Sequence, residues 1–358
     1  AIDPTLATSR TFIVVVILTV YWSATLLNLR GMRASSLISS ICLGAGVLLP
    51  TALLIGLALL YVLQGYPLQL NLAMTANNWL PLHDSHQSLV LFLSFIFGVV
   101  GIEVSASHAR EVRNVQRNYP LAVFSAAILG FMLTLLGGLA VAAVVPVDQL
   151  DLVSGSVQAL QRLLHIWQLD WLLGSIALLV ALGAAGQVST WVVGPIKGLW
   201  AAGCAGNLPP LLQATNAQGV ARNLLLIQAC LMSGVALVFF VVPSVDSAFL
   251  LLTSAAVILY AVMYLMLFAS AIRLRYSRAD IVRPYRIPGG DNWGLWLVAG
   301  TGFITTLACF FIGFLPPGTN MAGPTYVLAM LVILLLMLAV PQLLYRWRRP
   351  GWAAIHKE

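Results

Sequence analysis

The sequence predicts an all-α polytopic membrane protein with about nine transmembrane helices. Three properties of the 358 residues point to this fold class: 60% are hydrophobic, only 8% are charged, and the mean hydropathy is +0.95. A soluble domain of this length needs far more charge to cover its surface. The hydrophobic residues also gather in runs that are long enough to cross about 30 Å of hydrocarbon.

Nine such runs follow one another along the chain, and each is close to the length that a helix needs to span a bilayer. Their predicted bounds are residues 11–29, 37–62, 88–109, 121–145, 171–196, 223–242, 249–272, 293–314 and 325–345. They define one transmembrane domain, residues 11–345. Residues 1–10 are interpreted as an external segment, either native or added by cloning, and residues 346–358 as a short cytoplasmic tail.

Basic residues alternate between the predicted loops. Every Lys and Arg except Arg10 and Arg162 lies in a loop that follows the first, third, fifth, seventh or ninth run. Cytoplasmic loops carry an excess of Lys and Arg, so these loops and the C-terminus are predicted to be cytoplasmic and the N-terminus external. Because each basic cluster borders an apolar run, the net charge of +7 reflects membrane topology and indicates no nucleic-acid partner.

The sequence carries no motif typical of an enzyme or of a metal site. It has no nucleotide-binding loop, zincin helix or nucleophile elbow, and its His and acidic residues are scattered over separate loops. The cysteines lack metal-ligand spacing and are interpreted as packing residues; they are Cys42, Cys204, Cys230 and Cys309. We therefore expect no cofactor, and we expect the partners to be the lipid bilayer and a transported substrate.

The run 88–109 is interrupted by two glycines, Gly98 and Gly101, and by Glu103. Such a helix can unwind, and unwound backbone at this depth must line a cavity or be packed in protein. The preceding half-helix would direct its carbonyl end at the break and favour a cation such as a substrate ammonium. A charged carboxyl group kept from water is costly, which makes Glu103 a candidate proton sensor. Alternatively, the glycines allow close helix packing and Glu103 lies near the interface.

Two other runs carry polar residues near mid-depth. Tyr260 and Tyr264 are four residues apart and share a helical face; substrate contact or gating and a hydrogen bond between helices explain this pair equally well. Gly183, Gln187 and Trp191 belong to a polar stretch that can bond either a neighbouring helix or a ligand, and the spacing favours the helix. Polar positions that converge on one depth in three runs favour a carrier over a pore.

The residues around the break resemble a known family. Gly101-Ile-Glu-Val-Ser-Ala-Ser107 is similar to the broken sixth helix of antiporters in the amino acid–polyamine–organocation (APC) superfamily. Several stretches resemble its bacterial glutamate/GABA antiporter branch in particular. They are Glu103-Val-Ser-Ala-Ser-His108, Glu111, Tyr119-Pro120, Trp191-Val-Val-Gly-Pro195 with Gly198, the Tyr260/Tyr264 pair, Ile287-Pro-Gly-Gly290 and Phe314-Leu-Pro-Pro317.

This resemblance implies a partial APC/LeuT-like inverted-repeat transporter fold, in which the nine runs are helices four to twelve of twelve. It further implies alternating access in the inner membrane, with exchange of external glutamate for internal GABA in acid resistance. The first helix of this fold is broken and supplies N–H groups that hold the substrate carboxylate. Because the chain lacks its counterpart, we expect function to require the missing N-terminal helices or a full-length parent, and the chain alone to be an incomplete transporter.

The resemblance also implies roles for individual residues. The substrate-binding candidates are Gly98, Val99, Val100, Gly101, Ile102, Tyr260, Tyr264, Gln187 and Trp191. The candidates for pH sensing or gating are Glu103 and His108. Relatives tend to carry a carboxylate where this chain has Gln187, which leaves transport of another amino acid as one alternative and a non-transporting fragment as the other.

Overall fold

The computed structural model describes most of the chain. The described residues are 6, 9–70, 93, 95, 96, 98, 100–146, 149, 150, 154–242, 244–281, 283, 285, 287, 289, 292–316 and 323–353. Throughout these residues the regular structure is helical, and one isolated antiparallel bridge joins Ala205 to Ala353.

The helices are given in chain order. They are α1 Arg10–Leu29, α2 Met32–Leu43, α3 Leu49–Leu63, α4 Val115–Val144, α5 Gly155–Ile166, α6 Leu173–Cys204, α7 Pro210–Gln213, α8 Arg222–Ala236, α9 Val238–Val241, α10 Val245–Ser277, α11 Trp293–Leu295, α12 Thr301–Ile312 and α13 Gly323–Arg346. Two π-helical segments, Gly44–Leu48 and Trp296–Gly300, join α2 to α3 and α11 to α12. The 3-10 helices are Ile102–Glu111, Asp170–Leu172 and Pro350–Trp352.

Eight helical stretches in the described part of the chain are long and apolar enough to cross a membrane, which confirms the predicted fold class. They correspond to eight of the nine predicted runs. In the remaining run, 88–109, the prediction of a regular inner half-helix is wrong, because Ile102–Glu111 is a 3-10 helix. The backbone turns left-handed at Gly101, and the Ser105 hydroxyl donates to the Ile102 carbonyl 2.7 Å away, which competes with regular helical bonding.

Helix α6 packs closely against the segment that connects α2 and α3. The backbones of Gly46 and Gly183 meet, and a Cβ atom placed on Gly183 would lie only 2.5 Å from the Gly46 carbonyl oxygen. One turn farther along α6, Gly186 lies against the side chain of Cys42. Small residues allow helix backbones to approach in this way, and tight van der Waals contact is a main source of helix association in lipid.

Hydrogen bonds fasten α1 to its neighbours. The buried Asn28 amide donates to the hydroxyl oxygen of Ser189 on α6 at 3.1 Å, and the Trp22 indole donates to the hydroxyl oxygen of Ser233 on α8, also at 3.1 Å. Bonds of this kind between membrane helices contribute about 0.6 kcal/mol each. The contact with Ser189 sets the position of α6 two residues before Trp191, which belongs to the site described below.

Candidate functional site

The site begins at a sharp change of backbone direction at Gly101. Its φ angle is +112°, a conformation that glycine adopts far more readily than other residues, and the 3-10 helix starts at the next residue. The indole of Trp191 on α6 covers this glycine so closely that an added Cβ atom would lie 2.7 Å from Trp191 Cζ2. Residue 101 is therefore required to be glycine both by its conformation and by the ring against it.

Glu103 folds back onto this break. Its Oε2 atom accepts a hydrogen bond from the Gly101 backbone N–H at 3.0 Å and another from the hydroxyl of Tyr264 on α10. The Gly101 N–H also lies 3.4 Å from the Tyr264 hydroxyl oxygen. The other carboxyl oxygen, Glu103 Oε1, is buried and has no hydrogen-bond partner among the described residues. One carboxyl group thus links the break to α10.

A row of aromatic rings runs along the same side of α10. Tyr260, Tyr264 and Phe268 are spaced four residues apart and share one face. The ring centroids of Tyr260 and Tyr264 are 6.3 Å apart, and those of Tyr264 and Phe268 are 6.1 Å apart. Trp191 meets Tyr260 edge to face at 5.9 Å. These rings bring α6 and α10 together at the break, and their π faces are surfaces that attract ammonium groups.

A cavity of about 600 Å³ lies on the other side of this aromatic row, in the size range of small-molecule sites. Its walls come from the α10 face, from the second π segment with α12, and from the chain before the break. Its lining residues are Leu93, Ile96, Val100, Val257, Tyr260, Ala261, Tyr264, Phe268, Leu297, Val298, Thr301, Gly302, Thr305, Thr306 and Cys309. The walls are mostly apolar, and their polar groups are threonine and tyrosine hydroxyls and one thiol.

A second cavity of about 200 Å³ lies between α3, α5 and α6. Thr51, Ser156 and Gln187 contribute its polar groups. Gln187 therefore lines a different cavity from Tyr260 and Tyr264, although it is only one helical turn from Trp191. For metal ions, the described residues contain no cluster of three or more His, Cys, Asp or Glu side chains that could hold one.

A family model for amino acid permeases matches residues 1–338. This chain belongs to the amino acid permease family. Membership of this family makes the chain a multi-pass membrane transporter rather than an enzyme, in agreement with the prediction from its apolar runs.

Three relatives share most of the permease sequence. An uncharacterized transporter of Legionella pneumophila subsp. pneumophila is 38% identical over 316 residues, which are 88% of this chain and 67% of that protein. Glutamate/gamma-aminobutyrate antiporters of Lactococcus lactis subsp. lactis and subsp. cremoris are 35% and 34% identical over 322 residues, 89% of this chain and 63% of each antiporter. The permease chain thus spans about two thirds of the length of these relatives.

The permease structure brings together five of the predicted site residues: Gly101, Glu103, Trp191, Tyr260 and Tyr264. Their roles in substrate binding and gating stay predictions.

The other predicted site residues lie apart from this group or are only partly described. Val100 lines the larger cavity. Gly98 donates its N–H to the Phe95 carbonyl at 3.1 Å, and the Ile102 carbonyl is occupied by Ser105. Val99 and the side chain of His108 lie outside the described residues.

Sequence reasoning missed four residues of the permease site: Phe268, Thr305, Thr306 and Gly302. Phe268 extends the spacing of Tyr260 and Tyr264 by one more turn, and that repeat could have revealed it. The threonines lie on a helix with no unusual pattern of charge, so only the packing of α12 against α10 shows that they face the same cavity.

Proposed function

We propose that this permease exchanges amino acids across the inner membrane by alternating access, and that it takes up glutamate in exchange for internal GABA in acid resistance. The Lactococcus lactis relatives are named glutamate/gamma-aminobutyrate antiporters, and their similarity covers 89% of this chain. The observation that carries the proposal is the break at Gly101, where Glu103, Tyr264 and Trp191 converge from three separate parts of the chain.

The break suits the recognition of a substrate ammonium group. The faces of Trp191, Tyr260 and Tyr264 lie beside it, and each cation–π contact contributes about 0.5–2 kcal/mol depending on desolvation. The carboxyl group of Glu103 lies within the same group of residues and adds negative charge. In this proposal the amino group of the substrate approaches residues 98–102 and the aromatic rings close over it.

Glu103 is also proposed to couple this site to pH. As a carboxylate it accepts hydrogen bonds from Gly101 and Tyr264, and bonds to a charged acceptor are about twice as strong as neutral ones. Protonation removes the negative charge, weakens both bonds and frees Tyr264. Because low pH favours the protonated form, acid is proposed to loosen this contact and to favour substrate access. The proposed orientation, with an external N-terminus and a cytoplasmic C-terminus, follows from the loop arginines.

Exchange is tested by uptake of radiolabelled glutamate into proteoliposomes. We expect uptake that depends on internal GABA and is faster at acid than at neutral pH. Liposomes without GABA and liposomes without protein are the controls. Both the 358-residue chain and any longer reading frame that contains it should be assayed. If neither exchanges glutamate while another amino acid competes for transport, the substrate assignment is wrong and a different amino acid takes its place.

Gln187 supports this second candidate, antiport of another amino acid. It is a neutral side chain at a position where the resemblance implies a carboxylate, and it lines the smaller cavity beside Thr51 and Ser156. A neutral amide binds a charged substrate group less strongly than a carboxylate does. Competition by a panel of unlabelled amino acids in the same assay distinguishes the two candidates.

Replacing Tyr264 with phenylalanine is expected to make exchange less dependent on pH. The change removes the hydroxyl that binds Glu103, while the ring that packs against Tyr260 and Phe268 remains. A hydrogen bond to a charged group contributes about 1.5–3 kcal/mol, so the contact should open roughly tenfold or more at neutral pH. Uptake at neutral pH should then approach the uptake at acid pH, as it should for Glu103→Gln.

Tyr276→Phe is the matched control for this experiment. Tyr276 lies on the same helix, and its hydroxyl accepts a hydrogen bond from the Trp296 indole at 2.7 Å, away from Glu103. This variant should keep the wild-type ratio of acid to neutral uptake. Equal ratios in Tyr264→Phe and in the wild type would show that the bond to Glu103 takes no part in pH control.

A further inference from the structure

We propose that the cavity of about 600 Å³ beside the aromatic row binds one acyl chain of a membrane phospholipid. The cavity lies between α10 and the unit formed by the second π segment and α12. Both helices belong to the stretches that are able to span a membrane. The site is separate from the proposed binding of an amino acid at Gly101, and it does not depend on the substrate of the permease.

The mouth of the cavity continues into the surface that meets lipid. Leu297 and Val298 line the cavity and are 52% and 51% exposed. On α12, Ile304 is 68% exposed and Phe311 is 63% exposed, so the same side of the molecule presents large apolar side chains. In a membrane protein this surface contacts hydrocarbon. A lipid tail can therefore enter sideways, without passing through water.

The chemistry of the walls suits a hydrocarbon chain. None of the 15 described lining residues is charged. Two of the hydroxyls are already engaged, because Thr301 bonds to carbonyl oxygens in its own helix and Tyr264 bonds to Glu103. An ionised ligand would lose its hydration without gaining a counter-charge, whereas a methylene chain gains about 0.8 kcal/mol for each group moved from water to an apolar site.

The packing at Gly302 defines the inner wall. A Cβ atom on Gly302 would lie 2.5 Å from Phe268 Cζ, so the Phe268 ring rests directly on the backbone of α12. This contact closes the cavity toward the cytoplasmic half of α10 as predicted from the loop charges. Buried Cys309, on the opposite side, lines it toward the other end of α12. The cavity is thus elongated along the helices, as a chain lying beside them requires.

Occupancy would reach the proposed gate through Tyr264. One face of its ring belongs to the cavity wall, and its hydroxyl binds Glu103. Tyr260 occupies the same two positions, since it lines the cavity and meets Trp191 edge to face. A chain in the cavity would support both rings from behind and favour the arrangement in which Tyr264 contacts Glu103.

The test uses the 358-residue chain in nanodiscs of phosphatidylcholine that carries a photoreactive diazirine in one acyl chain. After irradiation, peptide mass spectrometry locates the label. We expect labelling of cavity residues, including buried Cys309 and Val257. Label confined to outward-facing residues such as Ile304 would show surrounding lipid only and would overturn the proposal. In a parallel arm, a free diazirine fatty acid at the same concentration should label the cavity less; if it labels the cavity in preference to the phospholipid, the proposed source is wrong.

Thr305→Trp provides a second measurement, because an indole at this exposed lining position fills the mouth. Labelling of Cys309 and Val257 should fall to background. Ile304→Trp is the matched control, since Ile304 is the neighbouring residue on α12, is exposed and does not line the cavity. It should retain the label. Equal labelling in two well-folded variants would contradict the proposal, and the label map of the unmodified protein decides the question if Thr305→Trp does not fold.

Discussion

Replacing Gly183 with valine is expected to separate α6 from the segment that joins α2 and α3, and to prevent stable folding or greatly shorten the lifetime of the folded protein. The backbones of Gly183 and Gly46 are in contact, and even a single added Cβ atom would lie 2.5 Å from the Gly46 carbonyl oxygen and 2.8 Å from Gly46 Cα. Both neighbours are backbone atoms, so no side chain can rotate away. Overpacking costs about 1–3 kcal/mol, and more where the backbone must move. The apparent Tm in detergent, followed by size-exclusion chromatography, measures the effect.

Gly198→Ala is the matched control for this change. Gly198 lies on the same helix, and a Cβ atom there would meet no other atom within 4 Å. Because alanine is favoured over glycine in a helix by about 0.8–1 kcal/mol, this variant should be as stable as the wild type or slightly more stable. A Gly183→Val protein with an unchanged Tm would show that the two helices do not meet at this crossing.

Replacing Gly101 with alanine is expected to reduce exchange by more than about tenfold, because two separate costs coincide at this residue. A φ angle of +112° is unfavourable for any residue with a Cβ atom, and that atom would lie 2.7 Å from Trp191 Cζ2. The chain must therefore change its direction at the break or displace the indole. Either response moves the N–H that binds Glu103. Glutamate uptake into GABA-loaded proteoliposomes measures the loss.

Gly65→Ala separates the two costs. Gly65 also has a positive φ angle, +76°, but a Cβ atom there would meet no other atom within 4 Å. This variant carries the conformational strain alone and should keep most of the transport activity. If the two variants lose stability equally and only Gly101→Ala loses transport, the effect belongs to the site. Wild-type uptake with normal acid dependence in Gly101→Ala would remove the break from the proposed mechanism.

The sequence was sufficient to predict most of the fold. Composition and the length of the apolar runs reveal transmembrane helices directly, because a helix in lipid has to be apolar over its whole length. The glycines near Glu103 correctly indicated an interruption. Its form was not predictable, because the 3-10 helix depends on a local bond between Ser105 and Ile102 and on the ring of Trp191, which comes from a helix about 90 residues away.

The site could be predicted only in part, for a similar reason. Tyr260 and Tyr264 were recognisable because their spacing places two hydroxyls on one face of an apolar helix. Gln187 and Trp191 are also four residues apart, yet they line different cavities. The periodicity of α6 gives the direction of each side chain about the helix axis but not the neighbours that surround it. Those neighbours are decided by the crossing at Gly183 and by the way α10 approaches Trp191.

The π-helical segments have a consequence for how this chain can change during evolution. Each of Gly44–Leu48 and Trp296–Gly300 contains a wider turn inside an otherwise continuous helix. Deleting one residue there would restore regular α-helical bonding but would rotate everything that follows by about 100° relative to what precedes it. Leu49–Leu63 would then turn its core face away from α4 and α5. Insertions and deletions should consequently be excluded from these two stretches in functional descendants, whereas amino acid substitutions that preserve the small size of Gly46 remain open to them.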